Sequence, residues 1–387
     1  MNTLLIKSIK STFKDKFKTE PLLIFSPGRI NIIGEHTDYN DGFVFPAAVN
    51  KGIVTAIGKS NSKLSIAFAA DKEEILEFNL NQIKPLTQGS WQNYILGVVA
   101  EIQNRSKTIG NFNIVFGGDI PGGAGMSSSA ALENSVVFGL NTLFSLGLSK
   151  DDMILISQKA EHNYVGVKCG IMDQYASMFG IENHALLLDC RTVKSKPFKI
   201  DFKDYELILI NTNVKHSLSD SAYNDRRSVC ETIAEMLKVK ALRDATAFDL
   251  ETIKDQVTPE NYKKALYVIQ ENERVVKASK AMQDGDLKTL GELIYASHNG
   301  LQNQYKVSCE ELDFLVEQAK INPNILGARM MGGGFGGCTI NLILKTETSS
   351  FKTFISEVYK KKFNKACSIY SVKLSNGTHL ITNSIEV

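Results

Sequence analysis

Apolar residues recur every four positions at Leu5, Ile9, Phe13 and Phe17, a spacing that predicts an amphipathic helix packed on the body of the protein. Extended, strand-like apolar stretches follow at 22–25, 44–57, 64–68 and 112–116. Helical periodicity then takes over at 92–104 and from about 128 to 144, where Val136, Leu140, Leu143 and Phe144 share one face. The second half opens with strand-like 185–189 and 206–210 and continues with long helical patterns at 221–237, 259–283 and 287–298. Pro259 suits a first helical position, and Ser308 with Glu311 makes a capping-box pattern before Leu312, Leu315 and Val316. A glycine run at 332–337, a strand at 339–344, a helix near 351–361 and a strand at 368–374 complete the pattern. Strands and helices interleave irregularly, which predicts an α+β fold rather than a doubly wound sheet.

A length of 387 residues predicts two domains, placed at 1–179 and 180–387. The 44 Lys and Arg nearly balance the 42 Asp and Glu, which removes the electrostatic footprint of a nucleic-acid binder. No apolar run approaches the roughly 18 residues of a membrane span. The lysine-rich N-terminus lacks the apolar core of a secretory signal. Six cysteines without a C-x-x-C pair point to free thiols in a reducing compartment, so a cytoplasmic protein is expected.

Three segments can carry chemistry. Residues 26–42 gather Arg29, Glu35, His36 and Asp38 on a turn; such groups can fork onto the hydroxyls of a sugar, or form an ordinary polar hairpin. Their spacing lacks the i, i+4 pattern of a helical metal site. Residues 119–131 place Gly122, Gly123 and Gly125, then Ser127, Ser128 and Ser129, between a strand and a helix. Glycines admit close backbone approach and a helix start presents free N–H groups, so this is a phosphate cradle without a lysine, or a serine-capped turn.

The third segment, 332–337, imitates two nucleotide motifs. Gly332, Gly334 and Gly337 satisfy G-x-G-x-x-G, but a strand follows where the dinucleotide fingerprint needs a helix. Cys338 stands where a P-loop needs lysine. What remains is a glycine-lined wall approached by a ligand or by another loop. Asp173, Glu161 and Tyr223 are isolated polar residues on or beside helical patterns, and Trp91 defaults to the core. His184, His216, His298 and His379 have no ligand spacing.

Taken in order, these segments resemble the GHMP kinases. Pro121-Gly-Gly-Ala-Gly-Met-Ser-Ser-Ser-Ala-Ala131 resembles their phosphate loop, and 332–337 their C-terminal glycine motif. Gly28-Arg-Ile-Asn-Ile-Ile-Gly-Glu-His-Thr-Asp-Tyr-Asn40 is similar to the signature of the galactokinase branch, as are Ala160-Glu-His162, Cys169-Gly-Ile-Met-Asp-Gln174 and Tyr223-Asn-Asp-Arg-Arg227. The resemblance implies a two-domain fold with the active site in the cleft, and ATP-dependent phosphorylation of galactose at C1. It implies Asp173 and Arg29 as catalytic residues, and Glu35, His36, Asp38, Gly170, Asp173 and Tyr223 as sugar-binding. Gly122, Gly123, Ala124, Gly125, Met126, Ser127, Ser128 and Ser129 would hold the ATP phosphates, and the neighbourhood of Trp91 the adenine. Ser128 and Glu161 would hold Mg²⁺. The expected partners are these small molecules, with no nucleic acid or membrane and a monomeric state. An N-acetylgalactosamine kinase and a silent galactose sensor on the same fold are the alternatives.

Overall fold

The computed structural model describes residues 2–215 and 219–382, so His216 lies outside the described residues. The first part of the chain forms α1 (Thr3–Phe17), β1 (Leu22–Asn31), β2 (Phe43–Val44), β3 (Pro46–Lys59), β4 (Ser65–Ala69), β5 (Glu74–Phe78) and α2 (Trp91–Asn104). Next come β6 (Phe112–Gly118), α3 (Ser128–Phe144), α4 (Lys150–Ala160), α5 (Met172–Phe179), β7 (His184–Asp189), β8 (Lys194–Lys199) and β9 (Tyr205–Lys215). The helices α6 (Ser219–Met236), α7 (Ala247–Glu251), α8 (Pro259–Asp284), α9 (Leu287–Gly300) and α10 (Glu310–Lys320) follow. The chain closes with β10 (Ile325–Met330), β11 (Gly336–Leu344), α11 (Thr348–Phe363), β12 (Ser368–Ser371) and β13 (His379–Leu380).

Three sheets organise the molecule: a six-stranded one ordered β13-β1-β3-β6-β4-β5, a four-stranded one ordered β10-β11-β9-β12, and a three-stranded one ordered β2-β7-β8. Every pairing is antiparallel except β4 with β6. The expected α+β class is therefore what the elements form. Alternation along β1 decides which helices cover the large sheet. Leu23 and Phe25 face α1 and bury Ile6, Ile9 and Phe13. Ile24 faces the opposite layer, where α2, α3 and α4 supply Ile95, Val136 and Met153. The four-stranded sheet packs against α10 and α11 through Ile208, Leu315 and Phe351.

The chain departs from the predicted pattern at three places. The strand expected to end at residue 25 runs on to Asn31, because a register shift between Pro27 and Arg29 absorbs the two breakers Pro27 and Gly28. Helix α10 is capped by Cys309 with no side-chain bond, not by a Ser308–Glu311 box. Ser308 instead donates to Asp313 at 2.5 Å, and Asp313 also lies 3.4 Å from His298 Nε2. The last predicted strand stops at Ser371, and Leu374 makes only an isolated bridge to Val49. Pro259 does occupy the first turn of α8, with Thr258 capping through Asn261 N–H.

Candidate active site

Strand β1 delivers Arg29 to the start of α3. The Arg29 amide donates to the carbonyl of Met126 at 3.1 Å, and its Nη1 donates to the Gly125 carbonyl at 2.5 Å, so the strand and the 119–131 loop are fastened together. A Cβ at Gly28 would lie 2.6 Å from the Met126 oxygen, which is why this close approach needs glycine. Arg29 is almost fully buried, and its Nε and Nη2 both reach Asp173 Oδ1 at 2.9 Å. Ser127, in the left-handed region with φ of 58°, donates to Asp173 Oδ2 at 2.5 Å. Asp173 sits in the first turn of α5 and accepts on both oxygens. One serine of the loop is thus turned toward Asp173.

Ser129, half-buried in the first turn of α3, acts to lower the Glu161 pKa. Ser128, expected to share Mg²⁺ with Glu161, is exposed at the head of α3. Glu161 opens a π turn, Glu161–Val165, at the end of α4, and accepts from Gln174 Nε2 at 3.0 Å. Burial, and then the charge of Asp173, pushes its pKa up to about 7. Glu133 lies on the same buried wall, where burial and Glu161 raise its carboxyl well above the usual range. Among the described residues no three His, Cys, Asp or Glu side chains form a preformed metal cluster.

The 34–38 turn faces Asp173 across a cavity of about 120 Å³ lined by Arg29, Glu35, His36, Asp38, Asp173 and Tyr223, among others. Asp38 is held by the shape of its neighbour: a Cβ on Gly170 would lie 2.1 Å from its Oδ2, so only glycine fits beside it. Burial, with Asp173 next, raises the Asp38 pKa to about 7. Glu35 behaves oppositely. Burial pushes its carboxyl up, but Arg329 and Arg29 outweigh it and hold the group below its ordinary value. Glu35 Oε1 accepts from Arg329 Nη1 at 3.1 Å and from the Gly332 amide at 2.9 Å. His36 has both ring nitrogens engaged, Nδ1 with Tyr39 at 2.7 Å and Nε2 with the Gly333 carbonyl at 3.2 Å.

A second cavity of about 240 Å³ joins the first at Val167, Tyr223 and Gly333 and is lined by Gly123, Gly125 and residues 333–337. Here the two glycine segments abut. A Cβ on Gly337, at φ of 83°, would lie 3.2 Å from the Gly123 carbonyl. The glycine run is the wall that another loop approaches, and that loop is the phosphate-type one. Gly122 and Gly123 face open space, while Ala124 and Met126 are buried as its anchors. Trp91 lines neither cavity; it packs in the core against Phe116 and donates from Nε1 to Glu74 at 2.6 Å.

Arg329 escaped the sequence reading altogether. It is wholly buried and donates to the carbonyls of Asn31, Ile32 and Met330 besides Glu35. Its only signal is a charge inside an apolar strand just before the glycine run.

Comparison with known proteins agrees with this geometry. Residues 11–59 match the galactokinase galactose-binding signature, 93–181 the GHMP kinases N-terminal domain and 278–361 the GHMP kinases C-terminal domain. A galactokinase of Clostridium beijerinckii is 41% identical over 385 residues, 97% of this chain and 99% of that one. One from Thermotoga petrophila is 41% identical over 356 residues, 92% of this chain and 99% of that one. The crystal structure of Lactococcus lactis galactokinase complexed with galactose superposes with a TM-score of 0.93 at 33% identity, covering 97% of this chain and 99% of that chain. Methanococcus jannaschii mevalonate kinase, at 16% identity and a TM-score of 0.67, shares the fold. The chain belongs to the galactokinase family of the GHMP kinases, and is a sugar kinase.

Proposed function

We propose that the chain transfers the γ-phosphoryl group of ATP to the C1 hydroxyl of D-galactose, giving galactose 1-phosphate and ADP. The observation that carries this reading is Asp173, held by Arg29 and Ser127 on the boundary between the acidic 34–38 turn and the start of α3. Phosphoryl transfer demands alignment of the attacking hydroxyl and a positive field over the transferring oxygens. Asp173 orients the C1 hydroxyl and accepts its proton as the oxygen–phosphorus bond forms. Arg29 stabilises the attacking oxygen and the charge on the phosphoryl group. Glu35, Asp38, Gly170 and Tyr223 surround the remaining hydroxyls, and His36 lines the same pocket with its ring. The backbone of 122–129 and the dipole of α3 receive the phosphates without a lysine.

Mg²⁺ fits the wall behind the phosphates on the chemistry of its donors. Burial first, and then the charge of Asp173, make the Glu161 carboxyl reluctant to ionise, a situation that a divalent cation relieves. Glu161 together with Ser129 or Ser128 would hold the ion, water and phosphate oxygens completing a hard-oxygen shell. Bound there, it would neutralise charge on the nucleotide phosphates. The division into 1–179 and 180–387 belongs to the same reading; the N-terminal GHMP match ends two residues past that boundary, at 181, and the C-terminal match begins at 278.

The test is an ADP-release assay with Mg·ATP and galactose, N-acetylgalactosamine, glucose or arabinose. Galactose should be turned over in strong preference, because buried acids left unpaired reject the wrong hydroxyl pattern. Asp173→Asn should lower kcat by about 10²–10⁴-fold while galactose still binds. Preference for the N-acetyl sugar would overturn the substrate, and full activity in Asp173→Asn would remove that residue from the mechanism.

A further inference from the structure

The sugar-site turn and the glycine loop are joined by a buried polar chain that phosphoryl transfer does not use. Cys230, on α6, places Sγ 3.3 Å from Tyr305 Oη. Tyr305 Oη lies 2.7 Å from Tyr39 Oη, which lies 2.7 Å from His36 Nδ1. His36 Nε2 then reaches the Gly333 carbonyl at 3.2 Å. Cys230, Tyr305 and His36 are all buried, and Tyr39 half-buried.

Every proton in this chain has one possible direction. A carbonyl oxygen only accepts, so His36 Nε2 donates to Gly333. A neutral imidazole carries one N–H, so Nδ1 must accept, and Tyr39 must donate to it. Tyr39 has then spent its single proton, so its oxygen accepts from Tyr305, and Tyr305 in turn accepts from the Cys230 thiol. Burial pushes the His36 pKa down to about 4 against the opposing effects of Glu35 and Gly333, which keeps the ring neutral near pH 7. His36 also has φ of 63°, a left-handed conformation that a histidine holds only when its surroundings dictate it. Those surroundings are aromatic: the Tyr305 ring is 5.0 Å from His36 and 4.8 Å from Tyr267, whose hydroxyl donates to the Glu35 carbonyl at 3.0 Å.

We propose that Cys230, Tyr305 and Tyr39 are positioning residues that hold the His36 ring, through the hydrogen bond donated to Nδ1, with its Nε2–H on the Gly333 carbonyl, and so fasten that carbonyl to the sugar-site turn. The proposal rests on the reading of that turn and the glycine wall as the substrate cleft. With the chain cut at Tyr39, Nδ1 loses its donor, and only the Gly333 carbonyl and the surrounding rings still orient His36. The ring then turns more freely, the Nε2–H bond to Gly333 loosens, and galactose loses part of its preformed site.

The test reads the tautomer directly, by ¹⁵N NMR of histidine-labelled full-length protein at pH 7.5 without ligand, with the His36 signals assigned from their loss in His36→Gln. The wild type should show a protonated, pyrrole-type Nε2 and a pyridine-type Nδ1. Tyr39→Phe should keep the proton on Nε2 but move the Nδ1 signal downfield, as a pyridine-type nitrogen does when it loses a donated hydrogen bond, and raise KM for galactose about tenfold, the weight of one buried hydrogen bond, with kcat changed by about twofold or less. Tyr305→Phe, which keeps the ring packing, should shift the same signals in the same sense by a smaller amount, and serves if Tyr39→Phe does not fold. An Nδ1–H tautomer in the wild type would overturn the proposal. So would an unchanged Nδ1 signal and KM in the variants, even alongside a lower melting temperature. Because the tautomer is read without substrate, a failure here is distinct from a failure to phosphorylate galactose.

Discussion

Asp38 carries electrostatic tension on the wall of the first cavity. Burial, then the charge of Asp173, moves its pKa from the ordinary carboxylate range to about 7. In the unfolded chain the group ionises near pH 4. The folded state therefore binds more protons than the unfolded state between about pH 4 and pH 7, and its stability falls as pH rises through that window. An amide in the same place has no proton to lose. Asp38→Asn should thus melt close to the wild type at pH 4.5 and a few degrees above it at pH 8, in sugar-free scanning calorimetry, while galactose binding is lost. A melting difference that does not grow with pH would contradict the assignment of this tension to Asp38. The acid itself was legible in the sequence as part of a polar cluster. Its energetics were not, because Gly170 and Asp173 approach it only through the fold.

At the scale of elements, the positions that sequence patterning misplaced are those where a regular element is interrupted to aim a side chain. The register shift at Pro27 lets β1 continue and carry Arg29 to the phosphate-type loop, whereas Pro27 and Gly28 read as a strand end. The π turn Glu161–Val165 widens the end of α4 and brings Glu161 to Gln174, although periodicity alone shows only a helix. A second π turn, Leu301–Tyr305, presents Tyr305 to Tyr39 in the same way. If the first turn exists to place a metal-binding carboxylate, Glu161→Ala should raise the Mg²⁺ concentration for half-maximal rate at least about tenfold, the loss typical even of an outer-shell partner. Galactose affinity, measured by calorimetry without nucleotide, should change far less. Equal Mg²⁺ dependence in variant and wild type would remove Glu161 from the metal site.

Across the whole molecule, two kinds of information separate cleanly. Local composition was enough for the α+β class and for locating the polar 34–38 turn and the loop before α3, because glycines and polar residues there are contiguous in the chain. Long-range pairing was not: Arg29 with Asp173, Glu35 with Arg329, and His36 with Gly333 each join segments far apart in sequence. The glycine run illustrates both. Its refusal of a nucleotide fingerprint followed from the strand after it, yet the loop it packs against emerges only from the approach of Gly337 to Gly123. These pairings converge on Asp173, placed where a sugar hydroxyl and a terminal phosphate would meet. The most direct measurement is ³¹P NMR of the product formed from Mg·ATP and galactose labelled with ¹³C at C1. The account predicts one new phosphomonoester whose phosphorus couples to the labelled carbon, formed at a rate that collapses in Asp173→Asn. A phosphomonoester without that one-carbon coupling, or equal formation by the Asp173→Asn protein, would contradict it.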